Sequence, residues 1–220
     1  NGLIIFLGEE PWFRIDLYAE AFFQAIRELG LKMTTAVEGY NGPAPPDLER
    51  SVNCSYNRPH MRDQIERYGV QFSNYGSEGK SGPTIAMALI TLSHYDYQDI
   101  EMFRLGAMAP MYSFLTAKND HLSISKDHRA FHDIMRRLNG LLKLDIDLSE
   151  LKVMGDAESE RLSQLLEKLA SSNATAREMI ERARADFRYT PYTEPVELAP
   201  ELDRELDDII RNMPKDPEQQ

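Results

Sequence analysis

Cysteine is nearly absent from this 220-residue chain: Cys54 is the only one, so no internal disulfide can form. Long hydrophobic runs are absent too. The longest, around residues 105–115, is interrupted by Ser113 and is shorter than the roughly 20 residues that a membrane-spanning helix needs. The chain does not open with a basic segment followed by an apolar stretch, so no secretory leader is expected. These absences favour a cytoplasmic protein over a membrane protein or a disulfide scaffold.

Positive charge is scarce relative to negative charge. The chain carries 25 lysines and arginines against 36 acidic residues, and residues 145–220 hold 19 of the acids against 10 of the bases. Proteins that bind nucleic acid cluster Lys and Arg along one face, and the sequence contains no such basic stripe. Nucleic acid is therefore not an expected partner, and the acidic C-terminal part is interpreted as a solvated helical face.

The N-terminal stretch is strongly apolar. Residues 3–7 form a continuous apolar run that ends at Gly8 and precedes an amphipathic segment, which is typical of a fully buried central strand in an α/β sheet. Open α/β sheets place ligand crevices at the carboxyl ends of their strands. A small-molecule site would therefore use residues of the following turn and of neighbouring strand ends. The pocket candidates are Glu9, Glu10, Trp12, Tyr40, Asn41 and Tyr112.

Strand and helix patterns alternate through the first two thirds of the chain. Further strands are predicted at 32–37, 51–56 and 100–107, and helices at 15–29, 59–68, 85–94 and from an N-cap at Ser125 onward. Gly30 is the expected C-terminal cap of the first helix, and Ala109-Pro110 the exit of the last strand. Residues 38–46 are expected to form a loop because they are rich in glycine and proline. The alternation predicts a three-layer α/β/α domain over residues 1–148 with a mixed, mostly parallel sheet.

Beyond this domain the pattern changes to helices without strands. Residues 149–187 are predicted to form a helical hairpin whose second helix starts at a capping box, 175–178. Residues 188–200 are predicted to form an extended linker, residues 201–213 a separate amphipathic helix, and residues 214–220 a flexible tail. The apolar stripe of the last helix is the predicted partner surface, consisting of Leu202, Leu206, Ile209, Ile210 and Met213.

No set of residues in the sequence amounts to a catalytic signature. The glycine-rich segment 76–81 resembles part of a phosphate-binding loop, but Asn74 stands where that motif needs its first glycine. His128 and His132 are four residues apart and could face one metal ion, although a solvated helix face is the more ordinary explanation. Cys54 lies on a predicted strand and is expected to be a small buried hydrophobe. We therefore assign no catalytic residue, no metal site and no cofactor.

Four segments, in order along the chain, carry a family resemblance. They are Leu7-Gly-Glu-Glu-Pro-Trp12, the 75–84 loop with Gly82-Pro83-Thr84, Ala109-Pro110-Met111-Tyr112, and Leu144-Asp-Ile-Asp-Leu-Ser-Glu-Leu151. These segments resemble the proteasome assembly chaperone two family, which is often labelled ATP-grasp-like. The resemblance implies a phosphorylase- or peptidyl-hydrolase-like fold with helices on both faces of a mixed sheet. Family members usually carry an opening strand and helix before this point, so the 1–148 domain is expected to lack that unit.

The same resemblance bears on function. It implies proteins that self-associate or pair; eukaryotic and archaeal relatives bind proteasome subunits, and bacterial relatives have no settled activity. The favoured hypothesis is a non-enzymatic, homo-oligomeric interaction or assembly-chaperone-like protein with a protein client. The alternative hypothesis is a small-molecule-binding protein or enzyme that uses the crevice near Glu9 and Glu10.

Overall fold

The computed structural model describes residues 2–9, 11–72, 85–113, 121–124 and 126–195. The helices in these ranges are α1 (Ile15–Glu28), α2 (Met61–Glu66), α3 (Ile85–Tyr95), α4 (His128–Leu142), α5 (Ser149–Ser172) and α6 (Ala174–Asp186). The strands are β1 (Met33–Gly42), β2 (Val52–Tyr56), β3 (Gln71–Phe72), β4 (Glu101–Ser113) and β5 (His121–Ser123). Over the same ranges no helix combines the length and the apolar character needed to cross a membrane.

β4 is the central strand of the sheet. It pairs in parallel with β1, from Met33 opposite Glu101 to Gly42 opposite Pro110, and antiparallel with β2 on its other side. β5 pairs antiparallel with the end of β4, and β3 extends the sheet in parallel with β2. The predicted α/β class and mixed sheet are confirmed. Parallel and antiparallel pairings are equally frequent among the described strands, so the predicted predominance of parallel pairing is not seen there.

Alternate side chains of β4 enter two separate hydrophobic clusters, because successive residues of a strand point to opposite faces of the sheet. Phe103 and Leu105 pack with Ile134 of α4 and with side chains of α2. Met102 packs with Phe23 of α1 and with side chains of α3. Burying a large apolar side chain stabilises a fold by roughly 1.5–3 kcal/mol, so both clusters anchor β4 at the centre.

The predicted N-terminal strand is wrong. Residues 3–7 lie outside every described strand and are between 56% and 88% exposed. An apolar run forms a strand only where sheet neighbours accept its backbone hydrogen bonds, and the central position is held instead by β4, with 13 residues. Gly8 and Glu9 therefore do not follow a strand of the described sheet.

Two strand ends also differ from the prediction. β1 includes residues 38–42, which were expected to be a loop, because β4 continues alongside it as far as Pro110. Pro110 lies inside β4 rather than at its exit. The pairing with β2 ends at Ala107 and that with β5 begins at Met111, which leaves a gap where a residue without an N–H is tolerated.

The helix ends depend on local hydrogen bonds. Gly30 has a φ of +69°, as expected for the residue that ends α1. The N-cap of α4 is Asp127 rather than Ser125, and its carboxylate accepts a backbone N–H of the first turn at 3.1 Å. The N-cap of α6 is Asn173 rather than the 175–178 box, and its side-chain oxygen accepts a backbone N–H at 3.1 Å. Both caps belong to the residue types that favour this position.

Candidate functional site

Large apolar side chains are exposed on and before the first turn of α1. We call them the N-terminal apolar surface; its members are Leu3, Ile4, Ile5, Phe6, Leu7, Trp12, Phe13 and Leu17. Trp12 is 96% exposed and Phe13 is 80% exposed. Monomeric proteins rarely expose apolar side chains in such a concentration, and surfaces of this kind mark contacts with other macromolecules.

The segment that carries this surface rests against α1. The rings of Phe6 and Phe22 meet edge to face, with their centroids 5.7 Å apart. Gly8 sits close to the same region, because a β-carbon built on it would lie 3.2 Å from the Phe6 ring and from the Tyr18 hydroxyl. Arg14, with a left-handed φ of 51°, then turns the chain into the helix. Phe6 and Gly8 therefore lie beside α1.

The structure divides the predicted pocket residues between different places. Glu9 and Trp12 line one open depression, together with Pro11, Phe13, Arg14, Leu17 and Tyr18. Tyr40 and Asn41 lie on β1 and Tyr112 on β4, outside that lining. Glu9 and Trp12 are thus brought together, whereas Tyr40 and Asn41 are adjacent on β1.

Other predicted residues lie outside the described ranges. They are Glu10, the glycine-rich segment 76–81, and the partner-surface stripe of Leu202, Leu206, Ile209, Ile210 and Met213. The predicted helix at 201–213 and the tail at 214–220 fall there too. They stay predictions from the sequence.

Tyr40 belongs to a partly buried polar group along β1, β4 and β2, which we call the Tyr40 cluster: Glu38, Tyr40, Asn53 and Arg104. Asn53 donates from Nδ2 to the Tyr40 hydroxyl at 2.6 Å, and Arg104 forms an ion pair with Glu38. The strand register places all four residues on one face of the sheet. Burial raises the pKa of Tyr40, although a hydrogen bond with Ser51 acts in the opposite direction. Burial also lowers the pKa of Arg104 to about 10. Tyr40 therefore remains a neutral hydroxyl at physiological pH.

Tyr112 connects three parts of the fold. It is 5% exposed and packs with Leu162 and Leu166 of α5. Its hydroxyl donates to the carbonyl oxygen of Ala44 at 2.8 Å, in the loop after β1. Burial raises the pKa of Tyr112 to about 12, so its proton stays in this hydrogen bond at neutral pH.

The residues considered for metal binding and nucleophilic attack have structural partners. Nδ1 of His128 lies 2.7 Å from Oε1 of Glu158, whereas Nδ1 of His132 lies 3.3 Å from Oδ1 of Asp133. Across the described ranges, no group of three or more His, Cys, Asp or Glu side chains could hold a metal ion. Cys54 is buried, as predicted, and burial raises its pKa to about 12. Its reactive thiolate form is therefore scarce at neutral pH.

A buried network of charges was missed by the sequence analysis. It joins the loop after β1 to α4 through Glu49, Arg50, Asp127, Asp133 and Arg137. Nε of Arg50 donates to Asp127 at 2.8 Å, and the Arg50 backbone N–H donates to Asp133 at 2.8 Å. The second pair is separated by 83 positions, so no local spacing pattern reveals it.

Residues 188–195, which we call the strap, lie across this network. The backbone N–H of Tyr192 donates to both carboxylate oxygens of Glu49, at 2.9 Å and 3.1 Å. Gly69 has a φ of +67°, and a β-carbon built there would collide with the carbonyl group of Pro191. Glycine at this position therefore lets the strap approach the backbone that follows α2.

No protein-family model matches the chain, and no curated protein matches it. A PAC2 family protein from Streptomyces avermitilis superposes with a TM-score of 0.57 at 17% identity, covering 75% of this chain and 63% of that one. A proteasome-assembly chaperone homologue from Mycobacterium tuberculosis gives a TM-score of 0.55 at 15% identity, with coverages of 70% and 58%.

An archaeal proteasome activator from Pyrococcus furiosus gives a TM-score of 0.51 at 15% identity, covering 69% of this chain and 57% of that one. The chain therefore spans between 57% and 63% of the length of these three structures. At these identities the likeness concerns the fold, and at that level the predicted resemblance to proteasome assembly chaperones is confirmed. The chain has the fold of PAC2 family proteins and proteasome-assembly chaperone homologues.

Proposed function

We propose that this chain is a non-enzymatic, homo-oligomeric, assembly-chaperone-like protein of the cytoplasm that binds a protein client. The N-terminal apolar surface is the observation that carries this proposal. Covering exposed apolar area with another protein is favourable by roughly 25 cal/mol per Å². The fold likeness to a proteasome-assembly chaperone homologue and to an archaeal proteasome activator supports a client that is a subunit of a larger protein assembly.

The chemistry of the polar side chains supports binding rather than catalysis. Burial keeps Cys54, Tyr40 and Tyr112 in their neutral forms at physiological pH. His128 and His132 each lie beside a carboxylate that belongs to the packing of α4. These groups therefore take part in internal contacts of the fold.

The proposal includes the finer architecture that the sequence predicts. We propose a three-layer, phosphorylase/hydrolase-like core over residues 1–148, a helical hairpin over 149–187, a linker over 188–200 and a client-binding helix over 201–213. The two hydrophobic clusters that β4 enters support helices on both faces of the sheet. Contact of Leu162 and Leu166 of α5 with Ile180 of α6 supports the hairpin.

Native mass spectrometry of the full-length chain, purified from its own host, tests this function. We expect the wild-type chain to retain a foreign protein subunit. Trp12→Asp, on the N-terminal apolar surface, and Leu206→Asp, on the predicted client helix, should each reduce that retention. Leu165→Asp is the matched control, because Leu165 is an exposed apolar residue of α5, outside both surfaces. A wild-type chain that carries no foreign protein contradicts the proposal.

The second candidate function is small-molecule binding near Glu9. The open depression favours it, because Glu9 and Arg14 supply charges beside the aromatic rings of Trp12 and Tyr18. The other candidates, Glu10, Tyr40, Asn41 and Tyr112, would belong to this site only if it reached the strand ends. In the same native spectrum, a small molecule retained at one per subunit and lost in Glu9→Gln would support this alternative.

A further inference from the structure

β1 has one edge without a partner among the described strands. β4 pairs with the other edge along the whole strand, and the described order of the sheet ends at β1. Met33 is 42% exposed and Val37 is 52% exposed, so apolar side chains also show on one face of β1. A strand of 10 residues with a free edge is a template for pairing with another strand.

The free edge of β1 lacks the usual protection against such pairing. Natural edge strands are commonly protected by lysine, proline or a bulge. The sequence of β1 contains neither lysine nor proline, and its single charged residue, Glu38, is paired with Arg104 of β4. The register with β4 runs from Met33 to Gly42 without a skipped residue, so this pairing contains no bulge. The edge is therefore suited to the addition of a strand.

Residues 3–7 have the composition that this edge requires. A parallel strand that is covered on both faces is a nearly continuous run of branched and other apolar residues. Leu-Ile-Ile-Phe-Leu is such a run; it carries no charge and is between 56% and 88% exposed. Strands of this length are common in sheets.

Two observations favour a second copy as the source of the added strand. Within one chain, Phe6 is engaged with Phe22 on the outside of α1. Exposed apolar side chains also lie next to the edge that the run would occupy, namely Met33 and Val37 on β1. Two chains that exchange residues 3–7 would cover the run and this face of β1 in both copies at once, whereas Trp12 and Phe13 lie outside the exchanged run and stay available to a client. A reciprocal exchange of this kind is closed by a two-fold axis.

We infer that residues 3–7 of a second copy of this chain add to the free edge of β1 as a parallel strand, in a reciprocal exchange that forms a dimer. Backbone hydrogen bonds along β1 supply affinity, and the apolar side chains of the added strand supply specificity. This inference rests on the proposed function, because it names the partner and the surface for its self-association.

Disulfide trapping tests the pairing directly. In the full-length Cys54→Ala chain, one preparation carries Ile5→Cys and a second, differently tagged preparation carries Val37→Cys. Neighbouring strands lie about 4.8 Å apart, which is within reach of a disulfide. We expect mild oxidation of the mixture to link the two preparations. Replacing Val37→Cys with Val153→Cys should abolish the link, because Val153 is 69% exposed but lies on α5.

Sedimentation of chains that keep Cys54 provides a second measurement, so the test does not depend on the cysteine-free chain folding. Ile5→Lys on the added strand and Val37→Lys on β1 should each raise the dimer dissociation constant by about tenfold or more, which corresponds to roughly 1.4 kcal/mol. Leu165→Lys, on α5, should leave the constant unchanged.

Two results would overturn the inference. One is a wild-type chain that stays monomeric at every concentration. The other concerns a single chain that carries both Ile5→Cys and Val37→Cys. If its disulfide forms within the chain and not between chains, the edge of β1 is occupied by residues 3–7 of the same chain. If trapping fails while a foreign protein is still retained in the native spectrum, this inference fails and the proposed function stands. If the foreign protein is absent as well, both fail.

Discussion

Asp133 shows how the fold keeps a buried carboxylate ionised. Burial alone would raise the pKa of Asp133, but hydrogen bonds from His132 and the Arg50 backbone N–H, with the charges of Arg136 and Arg129, outweigh it and lower the pKa. The side chain is buried at the centre of the charged network between the loop after β1 and α4. The anion is therefore the form that the folded state binds best.

Substitution of this carboxylate should weaken the fold. Asp133→Asn should lower the free energy of unfolding at neutral pH by about 3 kcal/mol, because it removes one partner of a buried charge network. Urea titration measures this change. Asp99→Asn is the control: Asp99 pairs with Arg27 at an exposed position outside this network, and its loss should cost less than about 1 kcal/mol.

Asp133 should also affect how the free energy of unfolding falls at acidic pH. Because the folded-state pKa of Asp133 lies below its unfolded value of about 3.9, its stabilisation is complete above that value and is lost as the pH falls through the folded-state pKa. The wild-type chain should therefore lose more stability than Asp133→Asn between about pH 5 and about pH 2. An equal loss of stability over this pH range in the wild-type chain and in Asp133→Asn would contradict this account.

At the scale of secondary-structure elements, local pattern predicted the helices and the starts of three strands, β1, β2 and β4, but not how far β1 and β4 extend. The apolar period from Ile15 onward predicted α1 and its glycine cap because both depend on residues within a few positions. The extent of β1 through residues 38–42 depends on β4 lying beside it, some 68 positions later in register. Residues 3–7 have strand composition, yet no described neighbour pairs with them. Composition specifies a candidate strand, and only tertiary partners decide whether it is paired.

The candidate site shows the same limit. Trp12 was predicted as a pocket residue from its position after the apolar run, and the structure places it beside Glu9 in one depression, whereas the exposure of residues 3–7 was not predicted. Neither the contact of Tyr40 with Asn53 nor the buried network of Arg50 has a local signature, because strand register and helix packing bring the partners together. Gly155 of α5 is a further case: its lack of a β-carbon lets α5 approach the backbone of Arg129 in α4, and a β-carbon would lie 2.8 Å from that nitrogen.

Two glycines that share a backbone conformation allow the docking of the strap to be measured. Gly69→Ala should destabilise the fold by the cost of a left-handed alanine, about 1–2 kcal/mol, and by a further ~1–3 kcal/mol because its methyl group displaces Pro191. Gly30→Ala is the matched control, since its φ of +69° is similar to the +67° of Gly69 and nothing lies within 4 Å of its added β-carbon. Hydrogen exchange of the Tyr192 amide should accelerate in Gly69→Ala alone. Equal effects in both variants would contradict the proposed docking.

At the scale of the whole molecule, residues 2–9 contribute little to the described packing and much to its exposed apolar area. The ring of Phe6 contacts that of Phe22 on α1, and residues 3–7 are mostly exposed. Deleting residues 2–9 should therefore shift the unfolding midpoint of the dilute chain by less than about 4 °C, while it abolishes self-association. Calorimetry and sedimentation measure the two effects. A large loss of stability in the dilute chain would show that this segment belongs to the core.

The contact between Glu49 and Tyr192 also sets an order of events during synthesis. These partners are 143 positions apart, so Glu49 leaves the ribosome on the order of ten seconds before Tyr192 at ordinary elongation rates. Arg137, which pairs with the same carboxylate, is translated within that interval, 88 positions after Glu49, so Glu49 gains its ion-pair partner before it gains the strap. The backbone at Gly69 stays uncovered by Pro191 until nearly all of the strap has been translated. The contacts of Glu49 therefore form in the order in which its partners are synthesised, and the contact with Tyr192 waits for a residue that is translated more than a hundred positions later.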